Sequence, residues 1–299
     1  MEKEMTAFMP EHIRAFLRSG KAGEIILVSS SGIYLKFEEQ IFLLCDKRWG
    51  VLPIGIGVAD FDLAVSLLRP QQGQRVAVLD DRLVFPSGSL CLAPQDLEGE
   101  SACPALPKLQ QIRQAAEELA MVGKTRGISM LVRPMVLGLE LRDGLQQNPY
   151  CAQAYRYLAK LIELLRQNEP ESIRTCVEKL LGLGPGLTPS ADDVMLGMLF
   201  VFRALPDKNT EAIQWFSECV GQLCHRCTNQ ISAAYLKAMM AGAPFERMEL
   251  IFREMCGEKP MDIQKLTQIG SSSGSEMLLG MLLALGVCGY DVSQKEELQ

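Results

Sequence analysis

The sequence predicts an α+β chain in two parts: a β-rich region over residues 1–104, barrel-like or a curled sheet, and a helical domain over residues 105–299 that carries Gly-rich loops at helix N-termini. Three observations predict it. Up to residue 85 the apolar residues come in short runs separated by turn dipeptides such as Ser31-Gly32, Gln72-Gly73 and Asp80-Asp81, the grammar of strands and hairpins. Beyond residue 108 apolar positions recur at spacings of three and four, the period of a helix face. Between two strongly apolar segments lies residues 182–193, G-L-G-P-G-L-T-P-S-A-D-D, the most concentrated polar stretch in the chain.

In chain order, strands are expected at 25–28, 33–37, 41–44, 51–54, 75–79 and 83–85, with one short helix at 62–68. Gly50, Gly55 and Gly57 fall in a segment able to approach a ligand, although glycine in a small β domain more often marks a bulge or bend. Residues 86–107, rich in Pro, Ser and Gly, read as a connector. Helices are expected at 108–121, at 149–167 with Asn148 as cap and Pro149 in the first turn, and at 170–181. Three more follow, at 212–224, 228–240 and 245–255.

Composition removes several function classes. The chain has 299 residues, 48% of them hydrophobic, enough for a real core. With a net charge of -6 it lacks the basic footprint of a nucleic-acid or anionic-membrane binder, so an anion must be caught by a local site. The ten cysteines follow a charged start, Met1-Glu2-Lys3-Glu4-Met5, without a secretory leader, and read as reduced thiols in a cytoplasmic protein. The longest apolar runs are too short to span a bilayer. Cys224-His225-Arg226-Cys227 supplies too few ligands for a closed zinc site, and His12 reads as a surface residue. Two histidines do not support a His-based triad, so chemistry falls to backbone N–H groups, hydroxyls and carboxylates.

The loop at 182–193 carries the candidate site. Gly184 and Gly186 let the backbone come close to a ligand, Thr188 and Ser190 offer hydroxyls, and the N–H groups of the following helix turn a positive end toward the loop. Asp192 and Asp193 are the candidate catalytic carboxylates, with Asp192 positioning a magnesium ion or a proton. A plainer reading stands beside it: Ser190 followed by Asp193 fits a capping box that merely starts a helix.

A second stretch resembles the first. Aligning Leu279-Gly280-Met281-Leu282 on Leu196-Gly197-Met198-Leu199 sets Ser273 opposite Ser190 and Glu276 opposite Asp193. After a three-residue offset, Lys265-Leu266 and Ile269-Gly270 fall opposite Lys179-Leu180 and Leu183-Gly184. Either the chain repeats a helix, polar loop and capped apolar helix, or two buried helices look alike by chance. If the repeat is real, Ser272, Ser273 and Gly274 join the anion-binding set. Thr228, Ser232 and Tyr235 share a helical face between the two loops, lining a pocket or bonding back to their own helix. The expectation is that the helix starts near Ser190 and Ser273 converge, with Thr228 or Ser232 between them, around a polar pocket facing the β-rich region.

The string Gly184-Pro185-Gly186-Leu187-Thr188-Pro189-Ser190-x-Asp192-Asp193, with Thr228-x-x-x-Ser232 and Ser273-Gly274 ahead of a Leu-Gly helix, resembles the AllH-like family. That family, formerly a domain of unknown function, is associated with one subunit of oxamate carbamoyltransferase in allantoin breakdown. The resemblance implies transfer of a carbamoyl group between oxalurate and phosphate, giving oxamate and carbamoyl phosphate, alongside other subunit types. The alternative is a non-catalytic assembly or small-anion-binding subunit. The Ser-x-Arg-Thr phosphate signature of better-known carbamoyltransferases is absent, so a transferase of this kind is built on different lines.

Overall fold

The computed structural model describes residues 5–17, 20–95, 106–122, 127–140, 148–257 and 261–292. Two compact units divide the chain: residues 1–101 together with 241–247, and residues 102–240 together with 248–299. Cys103 and residues 96–105 of the predicted connector lie outside the described residues.

The first unit is a closed eight-stranded barrel. Its strands are β1 (Thr6–Met9), β2 (Ala22–Ser29), β3 (Gly32–Phe37), β4 (Gln40–Asp46), β5 (Gly55–Val58), β6 (Arg75–Leu79), β7 (Arg82–Phe85) and β8 (Gly88–Pro94), in the order β1-β5-β4-β3-β2-β6-β7-β8. Two pairings are parallel, β1 with β8 and β4 with β5; the rest are antiparallel, four of them hairpins between consecutive strands and two, β1 with β5 and β2 with β6, between strands distant in sequence. Inward residues alternate along the strands, as in Ile33, Leu35 and Phe37 of β3 or Val76 and Val78 of β6. Helix α1 (Glu11–Leu17) adds Ile13 and Leu17 to that core, and α2 (Phe61–Leu68) adds Phe61, Ala64 and Leu68. Asp60 caps α2 by accepting a hydrogen bond from the Leu63 N–H at 2.9 Å.

Two expectations need correction here. The strand expected at 51–54 is a turn instead, closed by a bond from the Gly55 N–H to the Leu52 carbonyl at 3.0 Å, and pairing moves on to β5. Pro53 has no N–H to give a ladder, which is why the chain turns there. The glycines then serve packing: a Cβ at Gly55 would meet Leu52, and one at Gly57 would meet Lys47. The second correction concerns the connector at 86–107. Its first part is β8, which pairs with both β7 and β1 and closes the barrel, burying Leu90 and Leu92.

The second unit is helical. Its elements are α3 (Leu109–Val122), α4 (Val132–Met135), α5 (Pro149–Gln167), α6 (Ile173–Leu180), α7 (Ser190–Ala204), α8 (Glu211–Cys227), α9 (Gln230–Met240), α10 (Glu246–Met255), α11 (Gln264–Thr267) and α12 (Ser273–Val287). Asn148 caps α5 through the Tyr150 N–H at 3.0 Å, with Pro149 in the first turn, as the sequence predicts. At the centre lie α7 and α12, packed on each other and buried on every side from Ser190 to Phe202 and from Gly274 to Leu285. A helix apolar all round belongs inside a bundle. Contact between the two is close because each has a glycine at the crossing. A Cβ on Gly197 would strike the Met277 carbonyl, and one on Gly280 would strike the Val194 carbonyl.

Candidate functional site

The repeat is written into the hydrogen bonds. In the first copy the Leu183 N–H bonds to the Leu180 carbonyl, the Ala191 N–H to Leu183, and the Asp192 and Asp193 N–H groups to Pro189. In the second copy the Ile269 N–H bonds to Leu266, the Gly274 N–H to Ile269, and the Ser275 and Glu276 N–H groups to Ser272. Every donor and acceptor of one set is the aligned counterpart of the other. The glycine contacts at the crossing are reciprocal in the same alignment, Gly197 against Met277 and Gly280 against Val194. Chance likeness between apolar helices does not produce this, so helix, loop and helix are duplicated about a local pseudo-two-fold relation.

The capping-box reading fails in both copies. Pro189 and Ser272 occupy the cap positions, with no side-chain cap bond, and Ser190 and Ser273 begin the helices proper. In the first copy the cause is local. Pro189 is locked near φ -55°, and Gly184, at φ 123°, presses so closely on Ser190 that a Cβ would collide with its backbone nitrogen. The Ser190 hydroxyl is thereby fully buried, and its Oγ has no hydrogen-bond partner among the described residues. Gly182 and Gly186 also hold positive φ, 81° and 102°. A Cβ at Gly186 would meet only the Thr188 carbonyl, in ordinary contact at 3.7 Å, and Pro185 to Leu187 are exposed around it.

The two helix starts converge. Thr188 Oγ1 lies 3.0 Å from Ser273 Oγ and donates to Asp193 Oδ2, also at 3.0 Å. Behind them Asp193 is 2% exposed and Glu276, from the second copy, 0%. Glu276 accepts from Ser272 Oγ at 3.1 Å and from the Ile128 N–H at 3.0 Å. Burial pushes the Asp193 carboxyl well above the usual carboxylate range, and the negative charge of Glu276 pushes the same way, against hydrogen bonds from Ser273 and Thr188.

Asp192 faces a different set. It accepts from the Gly182 N–H at 2.8 Å on one oxygen, and from Ser232 Oγ at 2.6 Å and the Thr228 hydroxyl on the other. Burial raises its pKa as well, opposed by these three bonds. The carboxylate thus ties the Gly-rich loop to the junction of α8 and α9. Thr228 is not on the α9 face that its spacing suggests, since it ends α8 in extended conformation, yet it meets Ser232 at the same oxygen. Tyr235 is buried on α9. Three donors aimed at Asp192 make a poor magnesium shell, which wants further oxygen acceptors. No group of three or more His, Cys, Asp and Glu side chains able to hold a metal occurs among the described residues. Cys224 and Cys227 are free thiols.

Of the candidate residues, Thr188, Ser190, Asp193, Ser272 and Ser273 gather at the paired starts, while Asp192, Thr228 and Ser232 form the adjoining strut. Gly184 packs on Ser190, and Gly274 lets α12 begin against the Leu266 carbonyl. Two participants are missing from the sequence-derived set. Glu276 is visible as the counterpart of Asp193, but its burial beside that residue is a tertiary fact. Asn229 caps α9 through the Ile231 and Ser232 N–H groups, both at 3.0 Å, and donates to the Leu187 carbonyl at 2.8 Å, holding the exposed turn of the loop. An Asn ahead of an apolar helix is a signal of that role.

The family model described as oxamate carbamoyltransferase subunit AllH matches residues 180–285. That span begins at the end of α6 and runs through most of α12, taking in both loops and every hydroxyl and carboxylate of the site, while the Ile128 N–H that donates to Glu276 lies outside it. The family description is of a subunit, one component of a larger assembly. No solved structure matches the chain. Among the described residues no helix is long and apolar enough to cross a membrane.

Proposed function

We propose, from the family match over residues 180–285 and the geometry of the paired helix starts, that this chain is a cytoplasmic carbamoyltransferase subunit acting on small anions. The reaction is oxalurate plus phosphate to oxamate plus carbamoyl phosphate, a step of allantoin and purine nitrogen breakdown, carried out with other subunits. The observation that carries the reading is the meeting of two duplicated helix starts through the Thr188 and Ser273 hydroxyls, 3.0 Å apart, over a buried carboxyl. Gly186 leaves room for a ligand at the loop, the two hydroxyls and Ser190 supply neutral donors, and two helix N-termini favour negative charge there. Asp192 is a positioning residue that fixes the loop, and Asp193 is the carboxyl nearest the reacting atoms.

Titration of phosphate, carbamoyl phosphate, oxamate and oxalurate into the protein, alone and with its partner subunits, tests this. Saturable binding of at least one anion is expected, weakened tenfold or more in the Thr188→Val, Ser273→Ala double variant. Absence of binding in every combination sinks the reading.

One observation favours the second reading, a non-catalytic assembly or anion-binding subunit. The Ala191 and Gly274 N–H groups at the helix starts are already bonded to the Leu183 and Ile269 carbonyls. In that case the double variant leaves turnover of the assembled complex unchanged and alters only how tightly the subunits associate.

A further inference from the structure

The two helix starts treat their aligned serines differently. In the second copy Ser273 Oγ has a partner in Thr188 Oγ1, at 3.0 Å. In the first, Ser190 Oγ is buried and has none among the described residues. The backbone leaves a second donor beside it. At the start of α7 the Ala191, Asp192 and Asp193 N–H groups are bonded to the carbonyls of Leu183 and Pro189, whereas the Ser190 N–H, first in the helix, has no acceptor within it. The two donors face one point: a Cβ on Gly184 would stand 2.6 Å from Ser190 N and 2.8 Å from Ser190 Oγ, about the reach of a hydrogen bond.

Donors that converge on a point seat a single oxygen, and the loop above them is built to admit one. Gly184 covers the point at φ 123°, and Gly182 and Gly186 on either side of it also hold positive φ. Pro185 to Leu187 are exposed, while Asn229 anchors the far end of the turn through the Leu187 carbonyl at 2.8 Å. A buried hydroxyl without a partner costs stability, and an entering oxygen relieves that cost. The neighbours select what enters. Asp193, one turn along α7, and Glu276 behind it are both buried carboxyls, so a dianion beside them is disfavoured. An oxygen of a planar carboxylate or carbamoyl group, with at most a single charge, suits two neutral donors better than hydrogenphosphate does.

We propose that the N–H and hydroxyl of Ser190 seat a carbonyl or carboxylate oxygen of a small planar acid of the oxamate type, uncovered when Gly184 swings aside, and that this seat does not take phosphate. The inference rests on the reading of this mouth as a carbamoyl-transfer site and decides which of the two reactants the Gly-rich loop holds. Ser190 is the residue that sets that preference, and Gly184 is its cover.

Ser190→Ala tests this with two readouts, thermal melting of the ligand-free full-length chain and calorimetric titration of oxamate and of phosphate into the chain together with its partner subunits. Removing a hydroxyl that has no partner leaves the ligand-free melting point unchanged or raises it. Oxamate affinity is expected to fall about tenfold, the loss of one hydrogen bond, with phosphate affinity unmoved. A lowered melting point shows that a buried water alone, or the chain itself, partners the hydroxyl, and overturns the proposal. Oxamate bound equally by variant and wild type, or a loss of phosphate affinity in its place, also overturns it and leaves the anion-site reading standing. A wild-type complex that binds no anion removes both. Amide exchange over residues 183–187 reads the swing of the loop: it is expected to change when oxamate is added to the wild type, and unchanged exchange with oxamate bound overturns the opening.

Discussion

Asp192 and Asp193 are adjacent in sequence and buried alike, yet their partners give them different duties. Asp192 receives three protein donors, so it behaves as a strut: removing it orphans the Gly182 N–H and two hydroxyls at once. Asp192→Ala is expected to lower stability by about 2–3 kcal/mol, and Asp192→Asn, which keeps an acceptor oxygen, by less. Urea unfolding of the two variants checks the order. Asp193 is the reverse case. Its folded pKa lies above its unfolded one, so the folded chain holds an extra proton in the window between them. Stability is therefore greatest below the unfolded value, near the ordinary carboxylate range, and declines as pH rises through the folded value, by at most about 1.4 kcal/mol per pH unit. Asp193→Asn removes this slope and leaves the protein no less stable than wild type at neutral pH. A steeper loss of stability with rising pH in the Asn variant contradicts the assignment.

At the level of elements, the duplicated helices depend on two glycines. Overfilling a packed crossing costs about 1–3 kcal/mol, and here the obstacle to a Cβ is backbone rather than a movable side chain, so Gly197→Ala and Gly280→Ala should each reach the upper end of that range or pass it. Thermal unfolding measures it, and near-neutral melting points in both variants contradict the close crossing. The repeat was legible in sequence because matching residues keep a fixed spacing, Leu-Gly-Met-Leu on Leu-Gly-Met-Leu. The cap assignments were not, because Pro189 and Ser272 take the position that a serine–acid pattern gives to Ser190 and Ser273. Strands with alternating burial inside hairpins, such as β3 and β6, were readable. Strand β8 was hidden by the Pro, Ser and Gly at its ends, since its pairing with β1 joins residues at opposite ends of the barrel sequence and leaves no local trace. Glu276 was readable as a counterpart, but its place beside Asp193 follows from the helix crossing.

Across the whole molecule, sequence order and physical unit do not coincide, because residues 241–247, the link after α9 and the first two residues of α10, belong to the barrel unit. The attachment is specific. Glu246 accepts from the Val51 N–H at 2.7 Å through its side chain, its own N–H bonds to the Val51 carbonyl at 3.0 Å, and Arg247 donates to the carbonyls of Arg48 and Trp49. Gly50 sits under the Glu246 carboxylate at φ 77°, where a side chain has no room. Losing that acceptor strands the buried Val51 donor, at a cost of about 1–3 kcal/mol. The two tryptophans make the effect separable, since Trp49 lies in the barrel unit and Trp215 in the helical one. In a Trp215→Phe background, Glu246→Ala should move the urea midpoint of Trp49 fluorescence down by that amount, with Glu246→Gln moving it less. In a Trp49→Phe background the same substitution should shift the Trp215 transition by a smaller amount, unless both transitions coincide in the parent, in which case the two units unfold as one cooperative system and shift together. A Trp49 transition indifferent to Glu246→Ala contradicts the assignment of residues 241–247 to the barrel's own stability.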